Sequence, residues 1–210
     1  MAAFEQSCNQ LQTDYLDLYL IHWPRVPSRE NDWEEQTAET WRVFEELYDT
    51  HRIRAIGVSN FLMHHLERFV ENVNVFPMVN QIEFNPTYQQ RETVEWCQVH
   101  DIQLEAWAPL GRGGLFNNQS IIDLSHDMNR DIGQICIRYA LQNGFVVMPK
   151  STNLAHIISN CRVFDFELDS DEMATLHGLD TNDGYTLHPD KLDEWPQALD
   201  KMYKQAGIPR

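Results

Sequence analysis

The stretch DLYLIHWP, residues 17–24, decides the fold class, because an apolar run of strand type ends in a histidine, a tryptophan and a proline. The run from Leu16 to Ile21 is typical of a buried strand. In parallel α/β folds, ligand sites lie at the carboxyl ends of the strands. His22 is therefore predicted to face a site, the alternative being a hydrogen-bonded histidine of the core.

Four further runs of the same kind follow along the chain. The five predicted strands are LDLYLIH (16–22), IRAIGVS (53–59), PMVNQIEF (77–84), IQLEAWA (102–108) and GFVVMPK (144–150). Helical periodicity occupies the segments 37–50, 63–72, 89–99, 119–129, 131–142 and 154–161. Strands that alternate with helices predict right-handed βαβ units and a parallel sheet. The fold class is α/β, and the absence of a linker predicts a single domain over residues 1–210.

The composition fits a globular chain and argues against several classes of protein. Hydrophobic residues make up 42% of the 210 residues, which is too many for a disordered chain. The net charge of −16 argues against nucleic-acid binding, and the acidic clusters at 30–49 and 165–200 are expected to be solvated helix faces. No apolar stretch approaches the ~20 residues that span a bilayer. We expect a cytoplasmic protein that binds neither nucleic acid nor membranes and has no obligatory protein partner.

The cysteines and paired histidines give no metal motif. The neighbours His64 and His65 diverge by about 100° on a helix, so both are expected on a helix surface and not at a shared metal ion. Reduced and mostly buried thiols are expected, because no C-x-x-C pair occurs among the four cysteines Cys8, Cys97, Cys136 and Cys161.

Each predicted strand ends in polar or aromatic residues of the kind that bind ligands. These residues are His22 and Trp23, Ser59 and Asn60, Gln81 and Glu83, Trp107, and Lys150 and Ser151. Any one of them could be an ordinary loop residue. Five successive strands with the same feature predict a ligand site along the carboxyl edge of the sheet.

The motifs around these strands resemble those of the aldo/keto reductase family, in particular its bacterial members of the 2,5-diketo-gluconate reductase and glyoxal reductase type. The matching motifs, in order, are TDYLDLYLIHWP, IRAIGVSNF, VNQIEFNP, EAWAPLGRGG, MPKSTN and VFDFEL, and the resemblance runs from about residue 4 to about residue 190. It implies a TIM-type (β/α)₈ barrel and the reduction of small aldehydes and ketones, such as dicarbonyls or keto sugars, with NADPH.

The resemblance also implies roles for the strand-end residues. His22 corresponds to the histidine that hydrogen-bonds the substrate carbonyl. Ser59, Asn60 and Gln81 correspond to the residues that hold the nicotinamide carboxamide, and their side chains offer the mixed donors and acceptors that it needs. Trp107 corresponds to the aromatic residue that stacks on the nicotinamide ring, although a strand tryptophan alone is more often a core residue.

The segment PKSTNLAHIISN, residues 149–160, resembles the family segment that binds the adenosine 2′-phosphate. Lys150 would supply a point charge, Ser151 a hydroxyl, and the following helix its N-terminal N–H groups. His156 stands where the family usually has an arginine, and Ser159 stands at a nearby acidic position. A weaker, pH-dependent group thus replaces a bidentate fork, so NADPH is expected with NADH as a possible second cofactor.

Other predicted contacts lie in two loops and next to His22. The glycine-rich GRGGLFNN, residues 111–118, lacks both phosphate-loop motifs but resembles the family loop that folds against the cofactor pyrophosphate. Arg112 would add charge there or lie in solvent. The segment DGYTLHPDKL, residues 183–192, resembles a loop that lines the substrate pocket, to which Tyr185 and Trp195 are assigned. The remaining predicted residues are Leu110 and Asn160 for the cofactor and Trp23 for the substrate pocket.

The N-terminal segment MAAFEQSCNQLQ has helical spacing and resembles the family helix that leads into the fourth barrel strand. The resemblance implies that the first three strands are absent, leaving a partial barrel of strands 4–8. The catalytic aspartate, tyrosine and lysine of the family lie in that missing part, so impaired activity is expected. None of six tyrosines is expected to substitute as the acid: Tyr15, Tyr19, Tyr48, Tyr88, Tyr139 and Tyr185.

Three hypotheses therefore stay open at the level of the sequence. The first is a reductase whose printed chain is truncated, which is favoured as the origin of the chain. The second is a non-catalytic module that binds a nucleotide or a partner. The third is an unstable gene fragment, which is favoured for the behaviour of the chain in isolation.

Overall fold

The computed structural model describes residues 1–27 and 32–206. Its strands are β1 (Leu16–Ile21), β2 (Ile53–Ser59), β3 (Val79–Glu83), β4 (Gln103–Trp107) and β5 (Val146–Met148). Its helices are α1 (Ala2–Leu11), α2 (Trp33–Asp49), α3 (Met63–Val70), α4 (Arg91–Val99), α5 (Gln119–Met128), α6 (Ile132–Gln142), α7 (Leu154–Cys161), α8 (Ser170–His177) and α9 (Trp195–Ala206). Within these ranges, no helix is both long and apolar enough to cross a membrane.

The five strands form one parallel sheet in the order β1-β2-β3-β4-β5, which confirms the predicted α/β architecture. The register pairs Leu16 with Ile53 at one end of β1 and Ile21 with Val58 at the other. Among the described strands, β1 and β5 are the outer ones, as predicted. The further expectation, that they are strands 4–8 of a larger barrel, stays a prediction.

The fifth strand is shorter than predicted, and one helix lies in a segment whose bounds were not predicted. The fifth strand was predicted over 144–150 but extends only from 146 to 148, because Gly144 (φ +84°) and Phe145 complete the end of α6. The N–H of Phe145 donates to the carbonyl of Ala140 at 3.1 Å. Helix α8 lies in the acidic segment 165–200, where Asp169 caps two N–H groups in a capping box with Glu172. That box is a sequence signal for a helix start, and the helix agrees with the expectation of a helix face in this acidic segment.

Chain contacts divide the molecule into two compact units. Unit 1 comprises residues 1–81, 96–102 and 187–210, and unit 2 comprises residues 82–95 and 103–186. The single domain over residues 1–210 stays a prediction. Each unit has its own aromatic core.

The core of unit 1 is built around Trp41 of α2, which is fully buried. Its ring packs against Phe44 and Phe69 at centroid distances of 5.8 and 5.1 Å. Its indole N–H donates to the carbonyl of Val75 at 2.9 Å, so the polar atom of a buried tryptophan has a partner. The helix face that carries Trp41 is therefore fixed against the chain that leads into β3.

The core of unit 2 stacks three aromatic rings. Phe84, which follows β3, stacks on Phe145 at 4.0 Å and on Tyr139 at 5.7 Å. The hydroxyl of Tyr139 lies 2.9 Å from Nδ1 of His177 on α8. Burial raises the pKa of Tyr139 far above that of a free tyrosine, so this hydroxyl stays protonated near neutral pH. Its contact with His177 has a structural role.

The thiols agree with the expected reduced state. Cys8, Cys97 and Cys136 are buried free cysteines, and Cys161 is exposed. Burial raises the pKa of Cys97 to about 11 and that of Cys136 to about 12. Neither forms the thiolate that nucleophilic or redox chemistry needs near neutral pH.

Glu45 of α2 is a buried carboxylate that organises the chain before β3. It is 7% exposed and accepts hydrogen bonds from the backbone N–H of Asn74 (2.7 Å), the backbone N–H of Val75 (2.8 Å) and the Asn74 side-chain amide (2.9 Å). Burial alone would raise its pKa, but these hydrogen bonds outweigh burial and lower it. Glu45 therefore replaces water for two backbone donors.

We expect Glu45→Ala to lower the free energy of unfolding by about 2–3 kcal/mol, because two backbone donors lose their acceptor. Urea denaturation measures it, with the neighbouring exposed Glu46→Ala as control, expected within about 0.5 kcal/mol of wild type. Because the folded-state pKa is depressed, the contribution is present above the unfolded pKa of about 4.3 and is lost as pH falls through the folded-state pKa. A Glu45→Ala effect that is equal at pH 7 and at pH 3 would contradict this account.

Candidate functional site

Four predicted site residues of unit 1 lie in one hydrogen-bond network at the carboxyl ends of β1, β2 and β3. The Asn60 side-chain amide donates to the carbonyl of His22 at 2.9 Å and to Oγ of Ser59 at 3.1 Å. The Asn60 backbone N–H and the Ser59 hydroxyl both donate to the carbonyl of Gln81, at 3.0 and 2.8 Å. Asn60 adopts φ +63°, a left-handed conformation that asparagine tolerates better than most residues. The network fixes the backbone that carries the His22 imidazole.

The His22 side chain is exposed and lines a pocket of about 520 Å³. Tyr19 lines the same pocket, and its ring packs against Phe4 and Phe44 at centroid distances of 5.9 and 4.8 Å. The expectation that Tyr19 does not act as the acid stays a prediction. Strict alternation would place residues 19 and 22 on opposite faces, but β1 ends at Ile21 and the chain leaves the pleat there. The pocket lining contains no lysine or arginine side chain.

Trp23 packs edge-to-face against Trp195 at a centroid distance of 4.7 Å. Trp195 is buried, and its indole N–H donates to the carbonyl of His188 at 2.9 Å. Trp23, which was assigned to the substrate pocket, thus packs against a buried residue of unit 1. Trp23 remains half-buried.

The histidines of α3 differ from their expectation. His65 is only 1% exposed, and Nε2 of both His64 and His65 lies near one carboxylate oxygen of Asp190, at 3.1 and 3.2 Å. His65 Nδ1 accepts the N–H of Leu62 at 3.2 Å, so its hydrogen sits on Nε2. Nε2 of His65 lies 3.2 Å from Oδ1 of Asp190, and His64, His65 and Asp190 each offer one ligand atom within 4.8 Å of the others, an arrangement that could hold a metal ion. The prediction that the two histidines share no metal ion stays a prediction. The prediction of two surface histidines is wrong for His65, which is buried, and is confirmed for His64, whose side chain is 49% exposed.

Unit 2 contains a pocket of about 550 Å³ that unites six predicted cofactor residues. They are Leu110, Arg112, Lys150, Ser151, His156 and Asn160. The pocket is formed by the glycine-rich loop after β4, the start of α6, the loop after β5 and the helix α7. The lining also contains Gly113 and Phe116 of the loop 111–118 and Ser159 of the segment 149–160. Sequence reasoning missed the other lining residues, namely Ser125, Asp131, Ile132 and Gly133.

Three cationic or potentially cationic side chains surround this pocket. Lys150, Arg112 and His156 are exposed, and none forms an ion pair in the part of the chain that the structure describes. The one acid in the lining, Asp131, accepts a hydrogen bond from the hydroxyl of Ser159. The charge balance of the pocket therefore favours an anion with several oxygens.

The start of α7 is organised by Asn153 instead of being left open. The Asn153 side chain accepts the N–H of Ala155 at 2.9 Å, and Oγ of Ser151 accepts the N–H of Asn153 at 3.1 Å. These local hydrogen bonds fix the conformation of the loop that follows Lys150. Gly133 allows close approach on the opposite wall, because a Cβ there would lie 3.3 Å from Oδ1 of Asn160.

Trp107 is half-buried at the end of β4, where it pairs in register with Met148 of β5. Its carbonyl accepts the N–H of Phe84 at 3.3 Å. Trp107 is not part of the lining of the 550 Å³ pocket. Its predicted stacking on a nicotinamide ring stays a prediction.

Comparison with known proteins gives consistent matches. The model of the aldo/keto reductase family matches residues 1–181. The glyoxal reductase of Bacillus subtilis is 43% identical over 192 residues, covering 91% of this chain and 67% of the relative. The methylglyoxal reductase DkgA of Escherichia coli is 42% identical over 190 residues, covering 90% and 66%. The chain thus spans about two thirds of the length of these relatives.

Solved structures agree with these matches. An aldo-keto reductase from a Medee basin deep-sea metagenome library superposes with a TM-score of 0.84 at 37% identity, covering 90% of this chain and 69% of the other. A Bombyx mori aldo-keto reductase in complex with NADP superposes with a TM-score of 0.80 at 33% identity, covering 92% and 66%. Taken with the five parallel strands and the residues at their ends, these matches establish that the chain belongs to the aldo/keto reductase family.

Proposed function

We propose that this protein takes part in the NADPH-dependent reduction of small aldehydes and ketones. The observation that carries the proposal is the pocket of unit 2, where Lys150, Arg112 and His156 surround a space suited to phosphate oxygens. Asp131 is the one acid in the lining, so a bound anion with several oxygens would complement the charges of Lys150 and Arg112. The family membership of the chain supports the same cofactor.

The residues that would hold NADPH fall into two groups. Lys150, Ser151 and His156 would bind the 2′-phosphate, with Leu110, Arg112 and Asn160 along the rest of the pocket. Ser59, Asn60 and Gln81 would bind the carboxamide, and Trp107 would stack on the nicotinamide. When bound, the cofactor supplies the hydride for the carbonyl carbon. His156 offers less fixed charge than an arginine, so NADH is proposed as a weaker second cofactor.

His22 would orient the substrate by a hydrogen bond to the carbonyl oxygen. Its backbone is fixed by Asn60, while its exposed imidazole can reach a small molecule. The relatives named glyoxal reductase and methylglyoxal reductase support a small dicarbonyl as the substrate class. Trp23 would limit the size of that substrate.

A second candidate function is nucleotide binding without efficient catalysis. The pocket that holds His22 and Tyr19 favours it, because no lysine or arginine side chain lines that pocket to lower the pKa of an acid. Reduction of a carbonyl needs a tuned proton donor near the oxygen. We therefore propose that the 210 residues, taken by themselves, bind cofactor but reduce carbonyls slowly.

Titration of the chain with NADPH, followed by tryptophan fluorescence, tests the proposed function. We expect saturable quenching, and we expect Trp107→Phe to remove most of the quenching because Trp107 is assigned to the nicotinamide. Trp96→Phe is the matched control, since Trp96 lies on α4 and stacks on His100. No saturation up to millimolar NADPH would contradict the proposal.

A further inference from the structure

The C-terminal part of unit 2 is anchored on a buried carboxylate. Glu83, at the end of β3, is 3% exposed and accepts the N–H of Tyr185 at 2.9 Å and the hydroxyl of Thr186 at 3.0 Å. Burial raises the pKa of Glu83 despite these two hydrogen bonds. Gly184 allows the close approach, since a Cβ there would lie 3.0 Å from the carboxylate. The backbone of Tyr185 is thereby held against β3.

The ring of Tyr185 lies directly on the glycine-rich loop. A Cβ added to Gly111 would lie 2.6 Å from Cε2 of the ring, and one added to Gly114 would lie 2.3 Å from Cε1. Both distances are below any real contact of a Cβ atom, so these two glycines are needed for the ring to pack there. The Tyr185 hydroxyl lies 3.2 Å from Oγ1 of Thr87, which fixes the far end of the ring.

The same loop presents its other residues to the pocket. Arg112 and Gly113 line the 550 Å³ cavity, while Gly111 and Gly114 meet Tyr185. Residues 111–113 all have positive φ, at 52°, 51° and 93°. For Arg112 this conformation costs about 1–2 kcal/mol, so contacts outside the loop must maintain it.

We propose that Tyr185 is a positioning residue, which holds the loop Gly111–Gly114 so that Arg112 faces the cofactor pocket. The inference rests on the proposed function, because it assumes that the pocket binds a dinucleotide. It changes the role of Tyr185 from the substrate contact expected from the sequence to a support of the cofactor site. Arg112 is assigned to the pyrophosphate, which NADPH and NADH share. Removal of the Tyr185 ring should therefore weaken the binding of NADPH and of NADH by the same factor.

Two substitutions that remove the same contact in different ways test this. Tyr185→Ala deletes the ring, and Gly114→Ala displaces it with a methyl group. Each substitution is expected to raise the dissociation constants of NADPH and of NADH about fivefold. Each is also expected to accelerate tryptic cleavage after Arg112 in the ligand-free chain. Tyr185→Phe keeps the ring and should restore slow cleavage. Tyr203→Ala is the control, because Tyr203 is also 39% exposed but lies on α9 in unit 1.

The double variant Tyr185→Ala/Gly114→Ala gives the sharpest readout. If the methyl group acts only through the ring, adding Gly114→Ala to Tyr185→Ala should cause no further loss of affinity. Additive losses, or nucleotide affinities of Tyr185→Ala equal to those of wild type, would overturn the inference. A wild-type chain that binds neither nucleotide would instead overturn the proposed function and, with it, the role of Tyr185. Titration of the wild-type chain with both nucleotides is enough to detect that outcome.

Discussion

The 210-residue chain is expected to oxidise NADPH with methylglyoxal at least about 100-fold more slowly than Bacillus subtilis glyoxal reductase assayed beside it. Hydride transfer leaves negative charge on the carbonyl oxygen, and a positioned acid that donates a proton there typically supplies ~10²–10⁴-fold. His22 is assigned to a hydrogen bond with the carbonyl oxygen. The pocket that contains it has one neighbouring phenol, Tyr19, but no lysine or arginine side chain to tune it.

The measurement is the initial rate of NADPH oxidation at saturating methylglyoxal. His22→Ala should reduce whatever rate remains, and Tyr19→Phe should change it less than threefold. Tyr15→Phe is the control, because Tyr15 is half-buried just before β1 and does not line the pocket of His22. Turnover comparable to that of the Bacillus subtilis enzyme, abolished by Tyr19→Phe, would contradict this account and would identify Tyr19 as the acid.

The alternation of strands and helices could be predicted because it depends on local pattern. Residues 53–59 are predicted and observed as β2, and residues 154–161 are predicted and observed as α7. The apolar runs are continuous and the helical segments are periodic, so short windows of sequence carry the information. Boundaries were less certain where a left-handed residue such as Gly144 ends a helix just before a strand.

Side chains that depend on distant partners could not be predicted in the same way. The buried Nε2 of His65 lies 3.2 Å from a carboxylate oxygen of Asp190, 125 residues further along the chain. Burial alone would raise the pKa of Asp190, but the hydrogen bonds and charges of His65 and His64 outweigh burial and hold it well below its usual range. No window around α3 contains that carboxylate. Tyr185 likewise finds its place through Glu83 and through two glycines of another loop.

Six residues of unit 2 were assigned to the cofactor through a resemblance and lie at one pocket in the structure, whereas Trp107 does not line it. Lys150 and Ser151 follow β5, whereas His156 and Asn160 lie on α7, so two short segments supply four of them. Asp131 was missed, because it lies outside the motifs that carry the resemblance. Asp131 could have been recognised as the cap of α6, since Gln134 completes a capping box with it.

We expect Lys150→Ala to raise the dissociation constant of NADPH about tenfold and that of NADH less than about twofold. A charge-assisted hydrogen bond to phosphate contributes about 1.5–3 kcal/mol, and the exposure of Lys150 places its effect at the lower end of that range. NADH lacks the 2′-phosphate, so it should be nearly insensitive. Lys191→Ala is the matched control, because Lys191 is an exposed lysine of unit 1.

Isothermal titration of the wild-type chain and of Lys150→Ala with both nucleotides tests the central claim, that the pocket of unit 2 recognises the 2′-phosphate. The account predicts tighter binding of NADPH than of NADH by wild type, and a ratio of the two dissociation constants that falls about tenfold in Lys150→Ala. It predicts an unchanged ratio in Lys191→Ala. Equal losses for NADPH and NADH in Lys150→Ala, or no preference for NADPH in wild type, would contradict it.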